Sequence, residues 1–485
     1  MKSYIPVMGF GRKMKHPLLE PAKTWLRMAA WVVLLSPLAA CATTEQVHEF
    51  KLDNGLKVVV KEDHRAPVVV SQIWYKVGSS YEREGVTGIS HMLEHMMFKG
   101  TEKHGPGEFS RIIAENGGRE NAFTGTDYTA YFESLEKSHL PIALELEADR
   151  MRNLRLEKEA FAKEQQVVLE ERRLRTEDKP RAKTYEHFMA TAFTNGPYRN
   201  PIIGWPADVA NLTLDDLKVW YQRWYAPNNA TLVVVGDVEP RRVLTLAEKW
   251  FGKHEPSEIP PPKPRTEVEQ VGERRMTMRL PAQLPYLVMG YKAPVLADLP
   301  EDRQWEAYAL TVLGGILDGG QSARLASRLV RGSQVAASVS ASYNLYDRLP
   351  TLFNLDGTPS QGHTLDDLEQ ALREEIRKLQ EERVTAEELE RVKAQVTAEA
   401  IYERDSMFYQ AMQIGLLETV GLGWQRMDEY VDRVRQVTAQ QVQEVANKYL
   451  SADGLTVAHL EPLPVDRETP SARESGSAIG GEYVH

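Results

Sequence analysis

Short apolar runs and alternations fill residues 56–77, LKVVVKEDHRAPVVVSQIWYKV, after which the chain passes into long stretches with apolar positions every third or fourth residue. The first pattern predicts strands and the second predicts amphipathic helices. The order then recurs. TLDDLKVWYQRWYAPNNATLVVV (213–235) laid without a gap over TAQQVQEVANKYLSADGLTVAHL (438–460) gives twice a helix, an aromatic end, a turn and a strand. A similar offset lays VVLEERRLRTED (167–178) on VTAEAIYERDSM (396–407). Self-similarity at this spacing, about 225 residues, indicates an internal duplication. The expected fold class is α+β: two homologous domains, each a mainly antiparallel sheet packed with helices.

Between the halves, HEPSEIPPPKPR (254–265) is rich in proline and charge and has no apolar periodicity. It predicts an extended linker over 254–268, with an N-terminal domain over 45–253 and a C-terminal domain over 269–463. Residues 464–485 have the composition of a disordered tail. At the other end, Lys23 and Arg27 lead into the apolar run Met28 to Cys41, which is too short to cross a bilayer and ends in small residues. Residues 1–40 therefore read as an export signal. Its last residues, Leu38-Ala39-Ala40-Cys41, resemble a bacterial lipobox, so Cys41, the single cysteine, is expected to carry a lipid anchor. Ala42 after it points to the outer membrane of the cell envelope, with the protein facing the periplasm. The long stretch before Arg27 leaves Met14 as an alternative start.

Composition narrows the class further. A length of 485 residues with 42 % hydrophobic content suffices for two or three cores. The net charge of −10 is spread without a basic block, which argues against nucleic acid as a partner. One cysteine excludes an internal disulfide.

Chemistry concentrates in TGISHMLEHMMFKGT (87–101), where His91, Glu94 and His95 fall within five positions of a chain with twelve histidines. On a helix, positions 91 and 95 lie about 40° apart and one turn along, so both imidazoles can reach one ion. His-x-x-Glu-His is the inverted order of the zincin motif. In that reading His91 and His95 bind Zn²⁺ and Glu94 is the general base that takes a proton from the attacking water. A solvated helix face is the bland alternative. A third ligand must come from elsewhere. Along FAKEQQVVLEERRLR (161–175), Glu164, Val167, Val168, Glu171, Leu174 and Arg175 form one helical stripe. A carboxylate among those aliphatic residues would be costly to bury without a cation. Glu171 is therefore the expected ligand, and Glu164, two turns earlier, is expected to support the ligands by hydrogen bonding.

On these residues the sequence resembles the pitrilysin/insulinase family of zinc peptidases, and in size its short two-domain members, such as the catalytic subunit of mitochondrial processing peptidase. The resemblance runs from about Glu45 to Pro462. It implies that Glu171, 76 residues after His95, is the third ligand, and that Glu164 matches a further acidic position. It also implies that GGRENAFTGTDYTAYFESL (117–135) holds a substrate-binding edge strand, with Asn121 and Ala122 beside the metal. An open strand edge suits an extended peptide, although the same stretch also reads as a structural hairpin. YAPNNATLVVVGDV (225–238) is a further match, with a structural role. The implied architecture is two halves facing each other around a chamber that admits peptides and unfolded segments.

The second half carries LGGILDGGQSARLA (313–326) where the motif would repeat, without a histidine, so one Zn²⁺ per chain is expected. Family members that complete their own site carry an Arg and a Tyr in that half. Anchored on Ala323-Arg324-Leu325 and Ser338-Val339, the alignment puts Val330 and Ala337 there, with Arg331 and Tyr343 close by. A homologous second subunit, or a homodimer, is the expected remedy. The expected function is zinc-dependent endopeptidase activity in the bacterial envelope. The alternatives are a weakly active or inactive lipoprotein that binds peptides, and a zinc site serving another hydrolysis.

Overall fold

The computed structural model describes residues 47–465, apart from Pro262. The export signal with Cys41, and the tail beyond Val465, lie outside the described residues.

Strands β1 (Val47–Lys51), β2 (Lys57–Glu62), β3 (Val68–Tyr75), β4 (Arg119–Thr124), β5 (Thr129–Glu136) and β6 (Ala230–Gly236) form a first sheet in the order β1-β2-β6-β3-β5-β4. Strands β7 (Arg274–Pro281), β8 (Tyr286–Ala293), β9 (Ala336–Ser342), β10 (Thr351–Pro359) and β11 (Leu455–Leu463) form a second, ordered β7-β11-β8-β10-β9. Each sheet has a single parallel pair, β2 with β6 and β7 with β11, and is otherwise antiparallel. Apart from the added β1, the two orders superimpose element for element. The duplicated pattern is visible at the helix starts as well: the helices Leu214–Trp224 and Ala439–Tyr449 each open on a capping box, Thr213 with Asp216 and Thr438 with Gln441.

The central strands are apolar almost throughout rather than strictly alternating, because both faces of each sheet are covered. In the first sheet, Val58, Val60, Val69, Ile73, Leu232 and Val234 face a core shared with the helix Ile89–Met96 and its neighbours. The intervening Val59, Val70, Trp74, Val233 and Val235 face Ala411, Ile414 and Leu417 of the helix Met407–Thr419, which comes from the other half. The second sheet mirrors this arrangement. Leu287, Met289 and Tyr291 face its own helices, while Tyr286, Val288 and Leu460 face Phe188 and Ala192 of the helix Pro180–Ala192, from the first half. Each half thus lends one helix to the other. A fully buried aliphatic side chain contributes roughly 1.5–3 kcal/mol, so the exchange ties the halves together. Gly415 permits the closest approach: a Cβ there would stand 2.1 Å from Trp74.

The described residues of 254–268 have no regular structure but are tacked to the first half. His254 Nε2 lies 2.7 Å from the Ala148 carbonyl oxygen, and the Glu267 carboxylate accepts from the backbone amides of Thr194, Asn195 and Gly196. None of the helices among the described residues is long and apolar enough to cross a membrane.

Candidate metal centre

The helix Ile89–Met96 begins at Gly88, whose φ of +85° is the left-handed turn that glycine permits. Its exposed amides are satisfied from a distance. Glu82 accepts from Gly88 N at 2.7 Å and Ser90 N at 2.9 Å, placing a carboxylate at the positive end of the helix. Burial pushes the Glu82 carboxyl up to about 7 despite those bonds. Met92, Leu93 and Met96 anchor the helix in the core, which leaves His91, Glu94 and His95 on the opposite side.

The second wall is the helix Lys158–Arg172, which continues into one wider π-helical turn, Arg173–Glu177. It brings Glu171 to the imidazoles: His95 Nε2 lies 3.2 Å from Glu171 Oε2, and His91 Nε2 lies 3.8 Å from Glu171 Oε1. The two rings are 4.7 Å apart and tilted by 73°. One donor atom from each of the three residues falls within 4.8 Å of the others. Glu164 Oε1 sits 3.3 Å from His95 Nδ1, and its Oε2 pairs with Lys99 Nζ at 2.7 Å. Glu94 is outside the trio and receives a hydrogen bond from Thr124 Oγ1 at 2.5 Å.

The electrostatics suit a cation. Burial, with the neighbouring His95, pushes His91 down to about 4 and keeps it neutral. Burial also opposes charge on His95 and Glu171, yet their mutual contact wins: the imidazole is held above its ordinary range and the carboxyl below it. Burial raises the Glu94 carboxyl against its bond from Thr124. Two imidazole nitrogens and one carboxylate oxygen fit Zn²⁺, and a cation between His95 and Glu171 would replace the proton that the pair now favours. A second group of donors, Asp366, Glu369 and His459, differs in kind. Two guanidinium groups, of Arg275 and Arg373, bind the Glu369 carboxylate, and Asp366 is exposed.

The surroundings of Glu171 differ from those expected from the sequence. Val167 and Leu174 are 48 % and 50 % exposed, so Glu171 is not embedded among aliphatic side chains. The helix widens at Arg173, and Arg175 Nη1 reaches back to Glu171 Oε1 at 2.7 Å; imidazole and guanidinium contacts hold the carboxylate instead. Asn121 and Ala122 lie on β4, the outermost strand of the first sheet, paired with β5 on one side only. In the second half, Val330 and Ala337 line one shallow depression. Of the two residues close by, Arg331 is bonded to Gln321, and the Tyr343 hydroxyl donates to the Pro294 carbonyl oxygen at 2.6 Å. The sequence reading missed Thr124, Lys99 and Glu82. Only Glu82, an acid shortly before a glycine-led helix, left a local signal.

A mixed sheet duplicated within one chain, with an inverted His-Glu-His helix facing a remote glutamate, defines a metallopeptidase class. The chain belongs to the M16, or insulinase, peptidase family. The family's model for insulinase (peptidase family M16) matches residues 57–205, and that for the peptidase M16 inactive domain matches residues 211–396. Among relatives, the zinc protease PqqE of Helicobacter pylori is 33 % identical over 419 residues, covering 85 % of this chain and 92 % of that protein. The uncharacterized zinc protease YmxG of Bacillus subtilis is 25 % identical, over 84 % of this chain and 96 % of its own. Among solved structures, a protease from Helicobacter pylori superimposes with a TM-score of 0.81 at 30 % identity, over 86 % of this chain and all of that one.

Proposed function

We propose that this chain is a zinc-dependent endopeptidase that cleaves peptides or unfolded polypeptide segments, held to the bacterial envelope, facing the periplasm, by a lipid on Cys41 in the outer membrane. The observation that carries the reading is the convergence of His91, His95 and Glu171, with Glu94 of the same helix outside the trio and bonded to Thr124. His91, His95 and Glu171 would hold one Zn²⁺, which would supply Lewis-acid polarisation of the scissile carbonyl and a lowered pKa for water. Glu94, its carboxyl raised by burial, accepts the proton of the attacking water and returns it to the departing amine. The open edge of β4, at Asn121 and Ala122, holds the peptide extended by main-chain hydrogen bonds. Glu164, between His95 and Lys99, fixes the imidazole orientation.

The occupied Arg331 and Tyr343, with Val330 and Ala337, favour a homologous second subunit as the source of further donors to the carbonyl oxygen, a contribution that elsewhere reaches several kcal/mol of barrier. One assay tests both statements. Purified chain with an unstructured fluorogenic peptide should show chelator-sensitive turnover that a cognate homologue raises at least tenfold; Glu94→Gln should retain metal and lose at least 100-fold. Absence of chelator-sensitive turnover contradicts the zinc-peptidase assignment, and turnover that survives Glu94→Gln contradicts Glu94 as its general base. Full activity indifferent to any homologue contradicts the subunit proposal alone.

A further inference from the structure

Glu94 is hydrogen-bonded to the strand that would hold the substrate. Thr124 is the last residue of β4, and its hydroxyl donates to Glu94 Oε2 at 2.5 Å. A β-branched side chain has few χ1 choices, so the direction of that hydroxyl is set by the backbone that carries it.

That backbone is held on three sides. Across the hairpin Thr124 pairs with Thr129, and Gly125 N donates to the Tyr128 carbonyl oxygen at 2.8 Å. From below, Ser79 N and Ser80 N donate to the carbonyl oxygens of Gly125 and Thr126. The fit there is tight enough that a Cβ on Gly78 would stand 2.4 Å from the Gly125 oxygen. From the other half, Arg348 Nε donates to Asp127 Oδ1 at 2.8 Å, beside bonds to the same carboxylate from Ser80 Oγ and the Tyr198 hydroxyl. The hairpin tip is thus a fixed mount for one donor.

We propose that Thr124 is a positioning residue for peptide hydrolysis: it ties down one oxygen of the Glu94 carboxylate so that the other faces the attacking water. The inference rests on the peptidase reading above. Because Thr124 ends the strand that carries Asn121 and Ala122, a peptide docked on that edge is placed in register with the base by the same few residues of backbone. A base left to rotate would spend most of its time away from the productive geometry, and misplacement of about 1 Å can cost about 100-fold in rate.

The test uses the full, zinc-loaded chain as wild type, Thr124→Val, Thr124→Ser and Glu94→Gln. The valine variant keeps the branched shape and removes the donor; serine restores the donor. Thr124→Val should hold one zinc per chain, leave KM within about twofold and lower kcat by about 10- to 100-fold, while Thr124→Ser recovers most of kcat. Crystal structures of the loaded proteins should show Glu94 in one orientation in wild type and Thr124→Ser, and displaced or split in Thr124→Val. Wild-type kcat in Thr124→Val, a loss that falls on KM or zinc content, or an unmoved Glu94 overturns the inference. If the wild type itself shows no turnover the peptidase reading falls, and if Glu94→Gln is as active as wild type the reading of Glu94 as its general base falls; either takes this inference with it.

Discussion

At the scale of single residues, the site depends on groups whose protonation the surroundings hold away from ordinary values. His91 is kept neutral by burial, whereas His95 and Glu171 stabilise one another's charge. Glu82 gives a prediction that does not involve the metal. Its folded-state carboxyl titrates near 7 against an ordinary 4.5, because it is buried. A raised acid favours folding most below its unfolded pKa, and that advantage is lost as pH rises from about 4.5 to 7. The stability of Glu82→Gln relative to wild type should therefore improve across that window by up to about 3 kcal/mol and stay level above it. Denaturant unfolding of both proteins at pH 5 and pH 8 measures the change; a difference that is flat or of opposite sign contradicts the assignment.

Spacing explains what the sequence could show of the site. Positions 91 and 95 must share a helical face, and a long amphipathic helix downstream must offer some acid to it. The partners of that acid were not legible, because a helix that widens at Arg173 turns Arg175 back to Glu171 and leaves Val167 and Leu174 in solvent. Thr124 was hidden for another reason. Its contact to Glu94 spans thirty residues and exists only after β4 and β5 have formed a hairpin against the motif helix.

Among elements, the exchange of helices accounts for the strand patterns. β3 reads Val-Val-Val-Ser-Gln-Ile-Trp-Tyr because Val69, Ile73 and Tyr75 meet one core while Val70 and Trp74 meet the helix Met407–Thr419. The α+β class and the duplicated helix-turn-strand were readable from such runs and from their recurrence at 213–235 and 438–460. The swap was not, since periodicity tells which side of a strand is apolar and says nothing about whose helix will cover it. A second tie between the halves is polar. Arg348 reaches Asp127, a buried carboxylate at the tip of the β4–β5 hairpin. Removing the guanidinium strands that charge, which typically costs about 3–5 kcal/mol when a buried pair is broken from one side. Arg348→Met should lower unfolding free energy in urea by at least about 2 kcal/mol; a change under about 0.5 kcal/mol would show that the clasp is not a stabilising contact.

For the whole molecule, one half supplies His91, His95 and Glu171, and the other supplies cover, a swapped helix and the clasp on the hairpin. That division follows from duplication: the second sheet repeats the strand order of the first, but its helix Trp305–Asp318 carries no histidine. The account stands or falls on a metal at the one convergent site. Diffraction from crystals of protein purified without chelators, recorded above and below the zinc absorption edge, tests it most directly. The account predicts one anomalous peak per chain, about 2.0–2.2 Å from nitrogens of His91 and His95 and a carboxylate oxygen of Glu171, with Glu94 outside the coordination sphere. No stoichiometric peak, or a peak held by other residues, would contradict it.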